Sequence, residues 1–492
     1  MTKDSDIKPT YEELLLENEK LRAELVYFKR MIFSQKRERF VPIRNDEQMV
    51  IAEVAQLEKA EPERRVETIS YTRRKPATSQ PVPHSRQTLP ATLPRKEIVI
   101  LPKQDVTGLK KIRDEITEVL EYKPGTFFVK KYIRPLYALP EDEGVLIGEL
   151  PSRPIDKGIA GPGLLAEILI NKYIDHLPLY RQRKRFKRQD IDIPLSTMSG
   201  WVQACAELLR PLYELYKEQV LNSSYIMADE TTIRVLDREK KGSTHLGYYW
   251  VYYSPPTRQV FFDYRDGRSR AGPLDILRLF QGYLQSDGYA GYEAIVQGPG
   301  VIPLACMAHA RRNFFEVQPD DSPHRLWMLE KIQTLYEIEQ RAREGHLTPE
   351  DRYHLRQSES LPILDAIKKW LHENSTQVLP KSKLSQAIGY MLNRWDRLCR
   401  YVSDGLLEID NNLVENAIRP IALGRKNYLF AGSHDGAQRA AIIYTLVANG
   451  GLAKKETFAY LSDVLNRISD HPYNRLSELL ACNWQPVADL SE

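Results

Sequence analysis

The stretch from Ser224 to Ala290 limits the possible folds more than any other part of the chain. It contains four short apolar runs with the length and composition of buried β-strands, and a helical pattern lies between the third run and the fourth. The first run leads into Asp229 and the fourth into Asp287. We therefore expect a β-sheet in which two strands each stop on an acid.

The order of these elements predicts both a fold class and a metal site. Three strands, a helix and a further strand, with acids at the ends of the first and fourth strands, is the chain order of a ribonuclease-H-like α/β core. A carboxylate at the end of a buried strand is costly unless a cation lies beside it. Two converging carboxylates suit Mg²⁺, which takes oxygen ligands. Taken alone, an aspartate after a strand is more often a turn or cap residue.

The chain is expected to be a multidomain α+β protein, and its length and charge indicate several domains and a polyanionic partner. At 492 residues the chain is long enough for about three domains. The net charge is only +4, but basic residues cluster before Lys131, over 181–188 and over 419–426, which favours DNA over a membrane surface. The four cysteines are far apart and form no Cys-x-x-Cys. We expect a reduced, cytoplasmic location, with neither a signal peptide nor a membrane-spanning segment.

The first 155 residues divide into three predicted segments. Residues 1–45 carry a leucine-rich heptad seam from Tyr11 to Ile32, which predicts a coiled-coil helix and a homo-oligomer, or else an amphipathic helix packed on its own protein. Residues 46–95 are basic and rich in proline, which predicts a disordered linker. Residues 96–155 show alternating apolar runs and are expected to form a small β-rich module.

Residues 156–215 are predicted to be a helical DNA-binding region. A strongly basic helix over 178–188 is followed by a break and by a helix that Ser196 can cap, an arrangement typical of a helix-turn-helix. The alternative is a helical subdomain with a solvated basic face. The candidate phosphate contacts in this region are Arg181, Arg183, Lys184, Arg185, Lys187 and Arg188.

A second acidic motif follows a long helical block. Residues 321–403 read as an all-helical insertion between two parts of the catalytic core, 216–320 and 404–450, and residues 451–492 as a C-terminal helical segment. In the motif, Asn412 is expected to cap a helix that places Glu415 and Arg419 one turn apart. The residues after this helix, Leu423 to Ser433, are expected to form a basic loop.

Several long motifs resemble the transposases of the IS66 insertion-sequence family, and the match covers nearly the whole chain. They are Met227-Ala-Asp-Glu-Thr231, Ser286-Asp-Gly-Tyr289, Cys306-Met-Ala-His-Ala-Arg-Arg-Asn-Phe-Phe-Glu316 and Asp410-Asn-Asn-Leu-Val-Glu415-Asn-Ala-Ile-Arg-Pro. That family is of DDE type, so the resemblance implies that Asp229, Asp287 and Glu415 form a catalytic triad. Three such carboxylates hold two Mg²⁺ or Mn²⁺ ions. Relatives often carry paired cysteines around the β-rich module; this sequence has none there, so we expect no zinc.

The resemblance also implies an activity and partners. A transposase of this kind cuts DNA at the terminal inverted repeats of its element and joins the 3′ ends to target DNA, with no covalent protein–DNA intermediate. We expect DNA, further copies of the chain and small accessory proteins of the same element as partners, at the bacterial nucleoid. The implied phosphate contacts outside the basic helix are His309, Arg311, Arg312, Arg419, Arg425 and Lys426.

Three alternatives remain open from the sequence. Glu230 and Asp410 lie beside chosen acids and could be the metal ligands instead. The enzyme could be a ribonuclease-H-like nuclease that cleaves without joining. The protein could also be a transposase-derived DNA-binding protein without strand-transfer activity, although such a protein has no need of a buried carboxylate cluster.

Overall fold

A computed structural model of the protein describes residues 93–123, 125–139, 144–236, 243–317 and 322–486, together with Leu89 and Ala91. Within these residues the protein is a mixed α/β structure with two mixed β-sheets and fourteen α-helices. None of these helices is both long enough and apolar enough to cross a membrane. The coiled-coil helix predicted at 1–45, and most of the predicted linker at 46–95, lie outside the described residues.

The first sheet is a four-stranded module built around one long hairpin. β2 (Lys110–Lys123) and β3 (Thr126–Ala138) pair antiparallel across a turn in which Gly125 has a φ of 90°, a conformation that glycine adopts without strain. β1 (Arg95–Val99) pairs parallel with β3, and β4 (Val145–Ile147) pairs antiparallel with the end of β3. Strands therefore lie where the alternating apolar runs predicted them.

Three helices lead from this module to the second sheet. α1 (Pro162–Tyr173) begins against the module, where the buried carboxylate of Glu121 accepts the backbone N–H of Gly163 at 3.0 Å. α2 (Leu179–Lys187) is the basic helix, and α3 (Leu195–Leu221) follows it. The expected cap by Ser196 is wrong. Helix α3 already begins at the preceding residue, so Ser196 lies inside the first turn, and no side chain caps that end.

The second sheet has five strands in the order β7–β6–β5–β8–β9. β5 (Tyr225–Leu236), β6 (Thr244–Ser254) and β7 (Gln259–Arg265) pair antiparallel with one another. β8 (Gly282–Ser286) pairs parallel with β5, and β9 (Val301–Ala305) pairs parallel with β8. β5, the first of these five strands in the chain, therefore lies at the centre of the sheet.

Both faces of this sheet are buried, which explains the unbroken apolar run of β6 over 248–253. Tyr249 and Val251 pack into the main core, which also contains α3, whereas Trp250 and Tyr252 pack into a second, smaller core. Successive side chains of a strand point to opposite faces. A strand that is covered on both faces must therefore be apolar at every position.

The remaining helices follow the second sheet or interrupt it. Near the sheet are α4 (Ala271–Ile276), α5 (Glu293–Val296) and α6 (Met307–Phe315). The helical block consists of α7 (Ser322–Glu344), α8 (Pro349–Leu355), α9 (Leu361–Ser375), α10 (Lys383–Asn393) and α11 (Trp395–Cys399). After it come α12 (Asn412–Tyr428), α13 (His434–Leu452) and α14 (Thr457–Arg467).

Helix α13 covers the edge strand β7 with hydrogen bonds. The side chain of Asn449 accepts the backbone N–H of Val260 at 3.1 Å and donates to its carbonyl at 2.6 Å. The hydroxyl of Thr445 accepts the N–H of Phe262 at 3.1 Å. An uncovered edge strand exposes unpaired backbone groups, and these contacts satisfy them inside the core.

Helix α12 corrects two expectations about the second acidic motif. Asn412 is the first helical residue and not the cap, because the carboxylate of Asp410 accepts its backbone N–H at 3.0 Å. The predicted basic loop after Leu423 is helical as far as Tyr428. Helix α12 continues through Pro420, which lacks a backbone donor, because the fully buried Ile421 packs the next turn into the core.

Candidate active site

The sheet brings Asp229 and Asp287 level with each other on neighbouring strands. In the parallel pairing of β5 with β8, Met227 lies opposite Gln285. Two residues further along each strand direction, the same offset places Asp229 beside Asp287. The two acids predicted as metal ligands therefore meet, one on β5 and the other directly after β8.

The expectation that strand β5 ends at Asp229 is wrong. β5 continues to Leu236, because its β-branched residues after the acid go on pairing with β6. On the other side of β5, however, strand β8 ends at Ser286. Asp229 thus lies on β5 just beyond the end of the paired strand β8, so its carboxylate can reach the residues that follow β8.

Helix α12 brings the third acid, Glu415, to the same place. Glu415 lies in the first turn of α12, and the helix packs along β5. Further along α12, the guanidinium of Arg425 donates to the hydroxyl of Thr232 at 2.6 Å and to its backbone carbonyl. Thr232 is three residues beyond Asp229, so Arg425 holds the far end of the helix against the strand that carries the first acid.

The three carboxyls repel one another. Burial raises the pKa of Asp229 well above its ordinary value, and the charges of Glu415 and Asp287 raise it further. The pKa of Glu415 rises to about 7, mainly because of burial and then because Asp410 lies near, while Arg312 opposes the rise. Burial and the neighbouring acids thus both disfavour the charged carboxylates, and a cation bound between them would offset this cost.

The two alternative acids are occupied by other contacts. Glu230 accepts a hydrogen bond from Arg268 Nε at 2.8 Å, so it is half of an ion pair. Asp410 accepts the hydroxyl of Tyr336 at 2.8 Å and the side-chain amide of Asn412 at 2.9 Å. These contacts favour Glu415 over Asp410 as a metal ligand, and they engage one of the two carboxylate oxygens of Glu230.

The loop after β8 is held by the helical block, a contact that the sequence analysis missed. Tyr390 on α10 donates its hydroxyl to the backbone carbonyl of Asp287 at 3.4 Å. Gly288 has a φ of 87°, and a β-carbon there would lie 2.7 Å from Arg394 Nε. These contacts join positions about a hundred residues apart, so no local pattern could have indicated them.

Helix α6 places His309 and Arg312 near the carboxyls. Burial lowers the pKa of His309, while the nearby Asp287 raises it. Ligand atoms of Cys306, His309 and Glu415 lie within 4.8 Å of one another. Thiol and imidazole suit softer metals than Mg²⁺, and the Cys306 sulfur already accepts the backbone N–H of Asn411 at 3.5 Å. The spacing Cys-x-x-His could have indicated this cluster, because Cys306 directly precedes α6 and His309 lies in its first turn.

The basic helix α2 is less exposed electrostatically than its sequence suggests. Arg183 pairs with Asp192 at 2.7 Å, and Lys187 reaches the same carboxylate at 3.0 Å. Arg185 pairs with Glu167 at 2.5 Å. The remaining predicted contacts of this helix are exposed at the surface: Arg181, Lys184 and Arg188. The other predicted phosphate contacts, also at or near the surface, are Arg311, Arg419 and Lys426. DNA contact by all of these residues stays a prediction.

Comparison with known proteins identifies related sequences. A family profile described as "Transposase IS66 family" matches residues 157–439, and another, "Transposase C of IS166 homeodomain", matches residues 20–98. Three proteins of Sinorhizobium fredii are similar. "Uncharacterized protein y4hP" is 33% identical over 85% of this chain and 78% of its own length. "Uncharacterized protein y4jD" is 32% identical over 81% of each chain, and "Uncharacterized protein y4qI" is 32% identical over 82% of this chain and 78% of its own.

Proposed function

The chain belongs to the IS66 family of transposases, and on that premise we propose that it cleaves DNA at the terminal repeats of an insertion sequence and joins the 3′ ends to target DNA. The convergence of Asp229, Asp287 and Glu415 from three separate elements carries this proposal. The strand order β7–β6–β5–β8–β9 supports a ribonuclease-H-like core around them.

The three carboxyls fit a divalent metal site. Burial and the charges of neighbouring acids raise the pKa values of Asp229 and Glu415. Bound cations would therefore reduce the repulsion among the carboxylates. We assign these residues as the groups that would hold two Mg²⁺ or Mn²⁺ ions. When bound, the ions supply the charge that activates the attacking water or 3′-hydroxyl and stabilises the leaving 3′-oxygen.

Residues of the chain itself would orient the DNA at this site. Arg312 and Arg419 lie near Glu415, and their charges lower its pKa. Arginine is well suited to hold a phosphate. His309 has a lowered pKa because of burial, so it would contact a phosphate as a neutral hydrogen-bonding group. The surface beside β5 would thus combine metal-binding carboxyls with positively charged side chains that can hold phosphate.

A strand-transfer assay tests the proposal. A labelled duplex ending in the terminal repeat of the flanking element is incubated with supercoiled plasmid and Mg²⁺, with accessory proteins of the element added in a parallel series. The wild type should yield label joined to plasmid, and Glu415→Gln should not. The exposed Glu350→Gln is the matched control and should join DNA as the wild type does.

The outcomes separate the alternatives. Cleavage by the wild type without joining would support a nuclease instead. Binding of the repeat without cleavage, with and without the accessory proteins, would support a DNA-binding protein that has no strand-transfer activity. Equal joining by the wild type and Glu415→Gln would contradict the assignment of the third acid.

A further inference from the structure

We propose that Arg356, a residue of the helical block, positions the catalytic acid Glu415 through a buried ion pair with Glu339. This inference rests on the proposed function, because it concerns how the metal-binding carboxyls are held in register. Arg356 would act through the backbone of a connecting segment and would not contact DNA. The helical block would then be a structural part of the active site.

The guanidinium of Arg356 is fully buried, and all of its N–H donors are engaged. Nε and Nη2 donate to the two carboxylate oxygens of Glu339 at 2.8 and 2.9 Å. Nη1 donates to the backbone carbonyls of Tyr401 and Asp404, and Nη2 to that of Leu407, each at 2.7 Å. A guanidinium has five donors, and three of their five acceptors lie in one short segment of backbone.

A second arginine strengthens this contact. Arg352 on α8 donates to Glu339 at 2.6 Å and to the backbone carbonyl of Gly405 at 3.2 Å. It also donates to both carboxylate oxygens of Glu408, at 3.0 and 2.9 Å. Two arginines and one buried glutamate of the helical block therefore hold residues 401–408.

The opposite side of this segment is held by the strands that carry the other two acids. The backbone N–H of Glu408 donates to the hydroxyl of Tyr225 at 3.2 Å, and its carbonyl accepts Gln285 Nε2 at 3.1 Å. Tyr225 also donates to the side chain of Gln285. Tyr225 lies four residues before Asp229, and Gln285 lies two residues before Asp287.

The segment then passes directly into α12. The carbonyl of Ile409 accepts the backbone N–H of Met307 at 3.1 Å, and Asp410 accepts the hydroxyl of Tyr336 on α7 at 2.8 Å. Helix α12 begins two residues later, and Glu415 lies in its first turn. Loss of the Arg356 contacts would release one side of the segment and allow Glu415 to move relative to Asp229 and Asp287.

The test uses the full chain and measures metal binding directly. Arg356→Met keeps an unbranched, apolar stem but removes the five hydrogen bonds. Mn²⁺ binding is followed by the electron paramagnetic resonance signal of the free ion, and folding is followed by circular dichroism at the same temperature. We expect about tenfold weaker Mn²⁺ binding, as is typical when a partner outside the ligand set is lost. Excess Mn²⁺ should restore part of the DNA cleavage rate.

Two further variants keep the test decisive. Arg341 lies on α7, as Glu339 does, and forms an exposed ion pair with Glu359. Arg341→Met breaks this pair and should bind Mn²⁺ as the wild type does. Tyr225→Phe removes the acceptor for the Glu408 N–H and the hydrogen bond to Gln285. It should therefore weaken Mn²⁺ binding even if Arg356→Met does not fold.

Each result has one consequence. Folded Arg356→Met with unchanged Mn²⁺ affinity would overturn the inference, and so would unchanged affinity in Tyr225→Phe if the arginine variant fails to fold. If the wild type itself bound no Mn²⁺ and cut no DNA, the proposed function would fail, and this inference with it. A wild type that binds and cuts, beside variants that match it, would refute the positioning role alone.

Discussion

Replacing Glu415 by glutamine should stabilise the metal-free protein above neutral pH. The pKa of Glu415 rises from 4.5 to about 7 in the folded protein. One unit of pKa corresponds to about 1.4 kcal/mol, so ionising this carboxyl in the fold costs about 3 kcal/mol. Because the folded pKa is raised, the contribution to stability is complete below about pH 4.5 and is lost as the pH rises through about 7. Glutamine carries no charge to lose.

Urea unfolding in the presence of a chelator measures this effect. The free energy of unfolding of Glu415→Gln, minus that of the wild type, should rise by up to about 3 kcal/mol between about pH 5 and pH 8. Mg²⁺ should stabilise the wild type at the higher pH and have less effect on the variant, since ligand binding stabilises only a fold that has the site. The exposed Glu337→Gln is the control and should differ from the wild type equally at both pH values.

A difference between Glu415→Gln and the wild type that does not change with pH would refute the reasoning. It would mean that burial and the neighbouring acids do not raise the pKa of Glu415 in the folded protein. Mg²⁺ stabilisation of equal size in both proteins would contradict its assignment as a metal ligand.

Two further predictions follow from the fold and from the basic helix. Asn449→Leu should lower the free energy of unfolding by about 2–4 kcal/mol in urea, because the N–H and carbonyl of Val260 are left buried without partners; an unchanged value would contradict the role of α13 in covering the edge strand. Replacing both Lys184 and Arg188 by alanine should reduce the slope of log affinity for DNA against log salt by about 2, whereas Arg183→Gln should change it less, because Asp192 already pairs with Arg183.

Much of the central sheet could be predicted from the sequence because its signals are local. The apolar run of β6 and the turn after it gave the positions of strands, and the chain order placed the acids on neighbouring strands. The structure brings Asp229 beside Asp287, although the strand of Asp229 was expected to end there. The β-branched residues that follow it were the signal for a longer strand.

The rest depended on contacts between distant parts of the chain. The ion pairs of α2 involve Asp192 and Glu167, which the pattern of basic residues does not reveal. The continuation of α12 through Pro420 depends on packing of the following turn, and packing outweighs the local preference of proline. The network around Arg356 joins α7, α8, β5, β8 and the segment 401–408, and a single sequence gives no periodic signal for it.

The most direct test of the whole account is Mg²⁺-dependent nicking of a labelled duplex that carries the terminal repeat. Wild type, Asp287→Asn and the exposed control Asp275→Asn are compared on a denaturing gel, with and without Mg²⁺ and with the accessory proteins of the element present. If the three carboxyls hold the catalytic metal ions, the wild type and the control nick the duplex at the repeat boundary, only with metal, and Asp287→Asn does not. Equal nicking by Asp287→Asn would contradict it.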